Sequence, residues 1–262
     1  MLPPNTAGDT SPQTDHAGAP IKRFEELSHQ QTRLGELTLR RRQEPVTDSL
    51  VYEVKLGEEF LMSSLFTVAE IALADLAIDQ HLARSGSTAL SVLVGGLGLG
   101  YTAVAALRHS AVTQLDVVEA LEPVIAWHRD RLLPTSEELM GDSRARLHQA
   151  DFFAMVTGDA TSSLDRGADP AAYDVVLVDI DHAPDFVLHE SHQSFYSQSG
   201  LSAMREFVSP GGVFALWSDN PPDPTFTAHL GTVFSWARAE VVSFANPLTR
   251  GTSHNSVYLA VR

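Results

Sequence analysis

The sequence predicts an α/β protein: a mostly parallel seven-stranded sheet with one reversed strand, preceded by a small N-terminal β unit. Three observations carry that expectation. From residue 86 onward, short apolar runs alternate with helix-like segments, the pattern of a parallel sheet covered on both faces. The first of these runs leads straight into a glycine cluster, Ser91-Val92-Leu93-Val94-Gly95-Gly96-Leu97-Gly98-Leu99-Gly100. The last two runs are joined only by residues 245–255, too short for a parallel crossover, so they pair antiparallel and one strand runs backwards.

Taken in order, residues 1–20 are rich in Pro, Gly, Thr, Asp and Ala, with little to bury, and read as a disordered tail. The β unit is expected over 21–62 and the α/β domain over 63–262. Within the β unit, Leu34, Leu37 and Leu39 form one short run, and Val51, Tyr52, Val54 and Leu56 another. Pro45 and Asp48 break them, and Gly57 ends the second. Arg40-Arg41-Arg42 is the only dense basic run and reads as a solvated strand end rather than a phosphate site. Between Met62 and Leu82, the spacing of Leu65, Val68, Ala69, Ala72, Leu73 and Leu76 predicts an amphipathic helix beside a cleft. Strands are then expected at 90–94, 115–119, 145–148, 175–179, 213–217, 240–244 and 256–261. Helices are expected at 101–109, 123–132, 200–208 and 225–237. Asp223 and Pro224 read as the N-cap and first residue of the last helix, and Trp127 and Trp217 as packing.

Composition narrows the function. The chain of 262 residues is 44% hydrophobic, enough for one large domain with a small appendage. A formal charge of −15 disfavours nonspecific binding to nucleic acid or an anionic membrane. With no cysteine, disulfides, thiolate nucleophiles and Cys-ligated zinc are excluded. There is no apolar run long enough for a membrane span and no signal-peptide pattern, so a cytoplasmic location is expected.

In a parallel sheet, ligands collect at the carboxyl ends of the strands. Four expected strand ends carry suitable chemistry. Gly95, Gly96, Gly98 and Gly100 form a turn that lets a ligand approach the backbone. Glu119, nineteen residues after Gly100, is placed to accept hydrogen bonds from ribose hydroxyls. Asp151 and Phe152 would offer a carboxylate and a ring face to a purine, and Asp151 alone reads equally well as a helix cap. Asp179-Ile180-Asp181-His182 supplies candidate acids and a general base. The turn is Gly-x-Gly-x-Gly without Gly-Lys-Ser/Thr, which argues against a P-loop nucleotide site. His182, His189 and His192 match no specific zinc spacing, and no metal is assigned.

This glycine spacing and reversed last strand resemble the class I S-adenosylmethionine-dependent methyltransferase fold, a Rossmann-like architecture. The motif order fits too: glycine turn, Glu119, Asp151, Tyr173-Asp174-Val175-Val176-Leu177-Val178-Asp179, then Ser209-Pro210-Gly211-Gly212-Val213. A closer resemblance, over roughly residues 34–261, is to the spermidine synthase-like proteins, which add an N-terminal β unit. Leu34-Gly35-Glu36-Leu37, Val51-Tyr52-Glu53-Val54 and Phe60-Leu61-Met62 look like that unit, and Phe195-Tyr196 followed by Pro210-Gly211-Gly212 like the second half.

The resemblance implies a small-molecule acceptor and a donor that is S-adenosylmethionine or its decarboxylated form. It makes Asp179 the catalytic acid, with Asp181 and His182 beside it, and Glu70 an acceptor-side residue; Phe195 and Tyr196, after the loop, read equally well as lining the acceptor pocket or as packing. Departures from the family pattern affect the choice of donor. Gly98 stands where spermidine synthases carry an acid, and Asp-x-x-Asp is replaced by Asp179-Ile180-Asp181-His182. Near the first core helix, Met62-Ser63-Ser64-Leu65-Phe66-Thr67-Val68-Ala69-Glu70 retains only Glu70 to bind an amine. Methyl transfer therefore leads as the expected reaction, aminopropyl transfer is the alternative, and a non-catalytic nucleoside-binding or scaffold role is the third. An exposed edge of the β unit would favour a homodimer.

Overall fold

The structure, a computed structural model, describes residues 23–158 and 172–262. The tail expected over 1–20 lies outside the described residues. The chain divides into two compact units at Leu61/Met62.

The first unit is an antiparallel sheet in the order β1-β2-β3-β4: β1 Phe24–Thr32, β2 Gly35–Glu44, β3 Ser49–Leu56 and β4 Glu59–Ser63. Leu37, Leu39, Val51 and Val54, all marked as apolar by the sequence, are its buried apolar residues, and Glu44 and Glu53 are buried with them. The polar sequence of β1 gives no such signal, and that strand was not expected. Arg40-Arg41-Arg42 is not a strand end but lies inside β2. Arg40 pairs with Glu53 at 2.7 Å, Arg41 with Glu25 at 2.8 Å, and Arg42 with Glu53 at 2.9 Å and with Glu44. Cross-strand acids engage all three guanidinium groups, so the run is neither solvated nor free for phosphate.

The second unit is the seven-stranded sheet, in the order β10-β11-β9-β8-β5-β6-β7. Its strands are β5 Leu90–Gly95, β6 Val112–Glu119, β7 Ala145–Gln149, β8 Tyr173–Val178, β9 Val208–Ser218, β10 Trp236–Asn246 and β11 Gly251–Val261. Strands β5 to β9 pair parallel, and β11 runs antiparallel to both β9 and β10. The helices are α1 Val68–Ser85, α2 Tyr101–Arg108, α3 Glu122–Arg129, α4 Ser136–Gly141, α5 Phe152–Thr157, α6 Gln198–Glu206 and α7 Pro224–Val233, with a 3₁₀ turn at Glu190–Tyr196. Among the described residues, no helix is long and apolar enough to cross a membrane.

Two helices end earlier than their periodicity implies. α6 stops before Val208, which pairs with Tyr173, and α7 stops before Trp236, which pairs with Val261. In each case the sheet ladder takes residues whose apolar spacing also suits a helix. As expected, Asp223 caps α7 by accepting from Thr225 N–H at 2.8 Å, with Pro224 next.

The topology locates the cleft. β5 has β6 on one side and β8 on the other, so the chain changes direction there, and the carboxyl ends of both neighbours flank the glycine turn. Gly95 pairs with Val178, which sets Asp179 directly beside the turn.

Candidate functional site

The turn leaves β5 at Gly95 and is held by close approach on several sides. Gly96 has a positive φ of 93°, and a side chain there would collide with the Asp179 carbonyl oxygen. A methyl group at Gly95 would stand 2.7 Å from the Phe152 ring, one at Gly98 2.9 Å from Met62 Sδ, and one at Gly100 2.8 Å from His128 and Thr135. Buried His128 donates from Nε2 to the Gly98 carbonyl at 2.9 Å and accepts at Nδ1 from Ser136 Oγ at 3.3 Å. Burial lowers its pKa, which keeps the ring neutral. The glycine turn is thus gripped from outside by α3 and the start of α4.

Glu119 ends β6 as expected. Its carboxylate accepts from Leu97 N–H of the turn at 3.1 Å and from Leu121 N–H at 2.8 Å. Burial pushes its pKa up, and the backbone donors work against that. The backbone N–H groups of Leu97, Gly98, Ala120 and Leu121 thus converge on this carboxylate.

At the end of β8, Asp179 N–H donates to Gly95 O at 2.9 Å, and its Oδ2 accepts from Thr102 Oγ at 2.6 Å. Burial raises its pKa from 3.8 to about 6. Glu70, in the first turn of α1, is raised from 4.5 to about 8 by burial, then by repulsion from Asp179 and Asp219. Asp219, just past β9, donates its N–H to His182 O at 2.7 Å and accepts from Asn255 Nδ2 at 2.6 Å. Asp179 and Asp219 therefore both act on Glu70. No Lys or Arg ion pair of the described residues involves any of them.

Several expected site residues lie elsewhere. Asp181 is 2% exposed and accepts from Leu188 N–H at 2.8 Å, His192 Nδ1 at 2.8 Å and Tyr196 OH at 2.9 Å. It ties the loop after β8 to the core instead of facing Asp179's neighbours. Phe195 is fully buried among Phe152, Phe153, Tyr196 and Phe214, and Tyr196 is 7% exposed with its hydroxyl on Asp181, so neither lines an open acceptor pocket. Phe152 is 2% exposed and packs into the same aromatic cluster under Gly95, leaving no ring face for a purine. Asp151 caps α5, accepting from Ala154 N–H at 3.1 Å. His182 remains on the loop, partly exposed, its ring stacked on Phe186 with centroids 5.1 Å apart. Among the described residues, no group of three or more His, Asp or Glu is arranged to hold a metal ion.

Sequence reasoning missed Thr102, Asp219 and His128. Asp219 follows the same rule as Asp179, an acid just past the end of a parallel strand. Thr102 and His128 carry no signal in the sequence.

A family model described as "Spermine/spermidine synthase domain" matches residues 79–225. The chain is 33% identical over 138 residues to polyamine aminopropyltransferase 2 of Streptomyces coelicolor, and 29% identical over 157 residues to the polyamine aminopropyltransferase of Prochlorococcus marinus. These alignments take in 52% and 60% of this chain but only 22% and 49% of the relatives. The crystal structure of spermidine synthase from Thermotoga maritima superposes with a TM-score of 0.65 at 16% identity, covering 90% of this chain and 72% of that one, a likeness of fold.

Proposed function

Because the chain belongs to the spermine/spermidine synthase family, we propose that it transfers the aminopropyl group of decarboxylated S-adenosylmethionine to an amine acceptor. The observation that carries this reading is the cluster of Glu70, Asp179 and Asp219. Burial, with Asp179 and Asp219 adding to it, raises Glu70 to about 8, and a cation beside these carboxylates would relieve that cost. An alkylammonium group meets that need, and the names of the matched relatives point to the same chemistry.

In this reading the glycine turn and Glu119 hold the nucleoside half of the donor. Glu70 and Asp219 bind the acceptor's ammonium group, and Asp179 takes a proton from the attacking nitrogen. The freed lone pair then forms the bond to the carbon next to the sulfonium while the carbon–sulfur bond breaks and methylthioadenosine leaves. The protein aligns nitrogen, carbon and sulfur and supplies the base.

Methyl transfer, the leading expectation from the sequence, becomes the second reading, because the family and curated matches favour the aminopropyl reaction. One observation keeps it in play: the turn has no acid for the donor's amine, and Met62 fills the space beside Gly98. Mixing the protein with each donor and putrescine, and identifying the nucleoside released, decides between them. Methylthioadenosine from the decarboxylated donor is expected. S-adenosylhomocysteine from S-adenosylmethionine would establish methyl transfer instead, and no turnover of either donor with a panel of amines would remove both readings.

A further inference from the structure

We propose that Thr102 is a positioning residue for Asp179, its hydroxyl engaging one carboxylate oxygen so that the other is left free to receive the acceptor's proton. The inference rests on the reading of Asp179 as the base. Thr102 is 3% exposed and sits in the first turn of α2, immediately after the glycine turn. Its Oγ lies 2.6 Å from Asp179 Oδ2 and 3.3 Å from the Glu70 carbonyl oxygen. A hydroxyl has one hydrogen, so the shorter contact is the donated bond while Asp179 is ionised. The carbonyl of Glu70 is a second acceptor, available when Asp179 no longer needs the hydrogen. The hydroxyl can thus serve both protonation states without any backbone shift.

The bond is also an electrostatic device. Burial drives Asp179 toward the neutral form, and the Thr102 bond is the interaction that opposes it. The charged and titratable groups on the neighbouring elements are these. Glu70 on α1 is acidic, as is Asp219 beyond β9. Asp181 is turned into the core, His182 lies on the loop that follows, and Tyr101 precedes Thr102 on α2. Valine has the shape of threonine without the donor, whereas serine keeps the donor and loses a methyl group.

The test is a titration of the Asp179 carboxyl carbon by ¹³C NMR in the ligand-free, aspartate-labelled protein, with Asp179→Asn identifying the signal. Thr102→Val is expected to raise the midpoint by about one pH unit, and Thr102→Ser to leave it in place. Thr102→Ala repeats the deletion if the valine variant does not fold. A midpoint unmoved in the valine or alanine variant overturns the proposal. The acid limb of the kcat–pH profile is measured alongside and is expected to move with the midpoint. If the midpoint moves and the limb does not, Thr102 still tunes the carboxyl, but Asp179 is not the base.

Discussion

Glu70→Gln should stabilise the ligand-free protein in alkaline solution and leave it unchanged in acid. Above its ordinary value of 4.5, Glu70 is ionised in the unfolded chain, but in the native state it keeps its proton up to about 8. Between those values the native state holds a proton that the unfolded state lacks. Stability therefore falls as pH rises, by about 1.4 kcal/mol per pH unit, and levels off above pH 8. The full interval corresponds to about 5 kcal/mol. Water reaches the partly exposed carboxyl, and the repulsion is shared with Asp179, so about 2–3 kcal/mol is expected from removing this charge. In a unit of this size that is a rise in Tm of roughly 4–12 °C. Scanning calorimetry at pH 5 and pH 9 reads it: the variant should match the wild type at pH 5 and exceed it at pH 9. Millimolar putrescine, still cationic at pH 9, should raise the wild-type Tm there and the variant's much less. A variant no more stable than wild type at pH 9, or stabilised equally at both pH values, would refute the argument that burial and its acidic neighbours hold Glu70 in its neutral form.

Two further outcomes are expected. Glu119→Ala removes a charged acceptor worth about 1.5–3 kcal/mol per hydrogen bond, so calorimetry should show donor-nucleoside affinity at least about tenfold weaker in a folded variant. Unchanged affinity would move the ribose elsewhere. Asp181→Ala strands the Tyr196 hydroxyl and the Leu188 amide, at a cost of about 2–4 kcal/mol. Its Tm should fall by roughly 5–15 °C, and the Leu188 amide should lose protection in hydrogen exchange. Full stability with retained protection would mean that this buried carboxylate is not what holds the loop.

The sheet was legible because its central strands are buried on both faces. Val92 to Val94 and Val175 to Val178 are continuous apolar runs with nothing exposed, and such runs read directly as parallel strands. The short 245–255 connection determined the reversed strand by chain length alone. The glycine turn, Glu119 and Asp179 were legible for a related reason: the ends of parallel strands share one edge, so polar residues placed just past apolar runs must gather there. What the sequence could not determine was which neighbours meet at that edge. Asp181 stands two residues from Asp179, yet its partners lie seven, eleven and fifteen residues further along, and only the folded loop turns it inward. Phe152, Phe195 and Tyr196 are apolar enough for a pocket wall or a core, and packing against Phe153 and Phe214 put them in the core. Thr102 reaches Asp179 across 77 residues of chain, and Glu70 and Asp219 arrive on elements either side of both. The strand order that seats β5 between β6 and β8 brings these groups together. A carboxylate's proton affinity is set by such neighbours and by the loss of water, both of which exist only once the chain has folded.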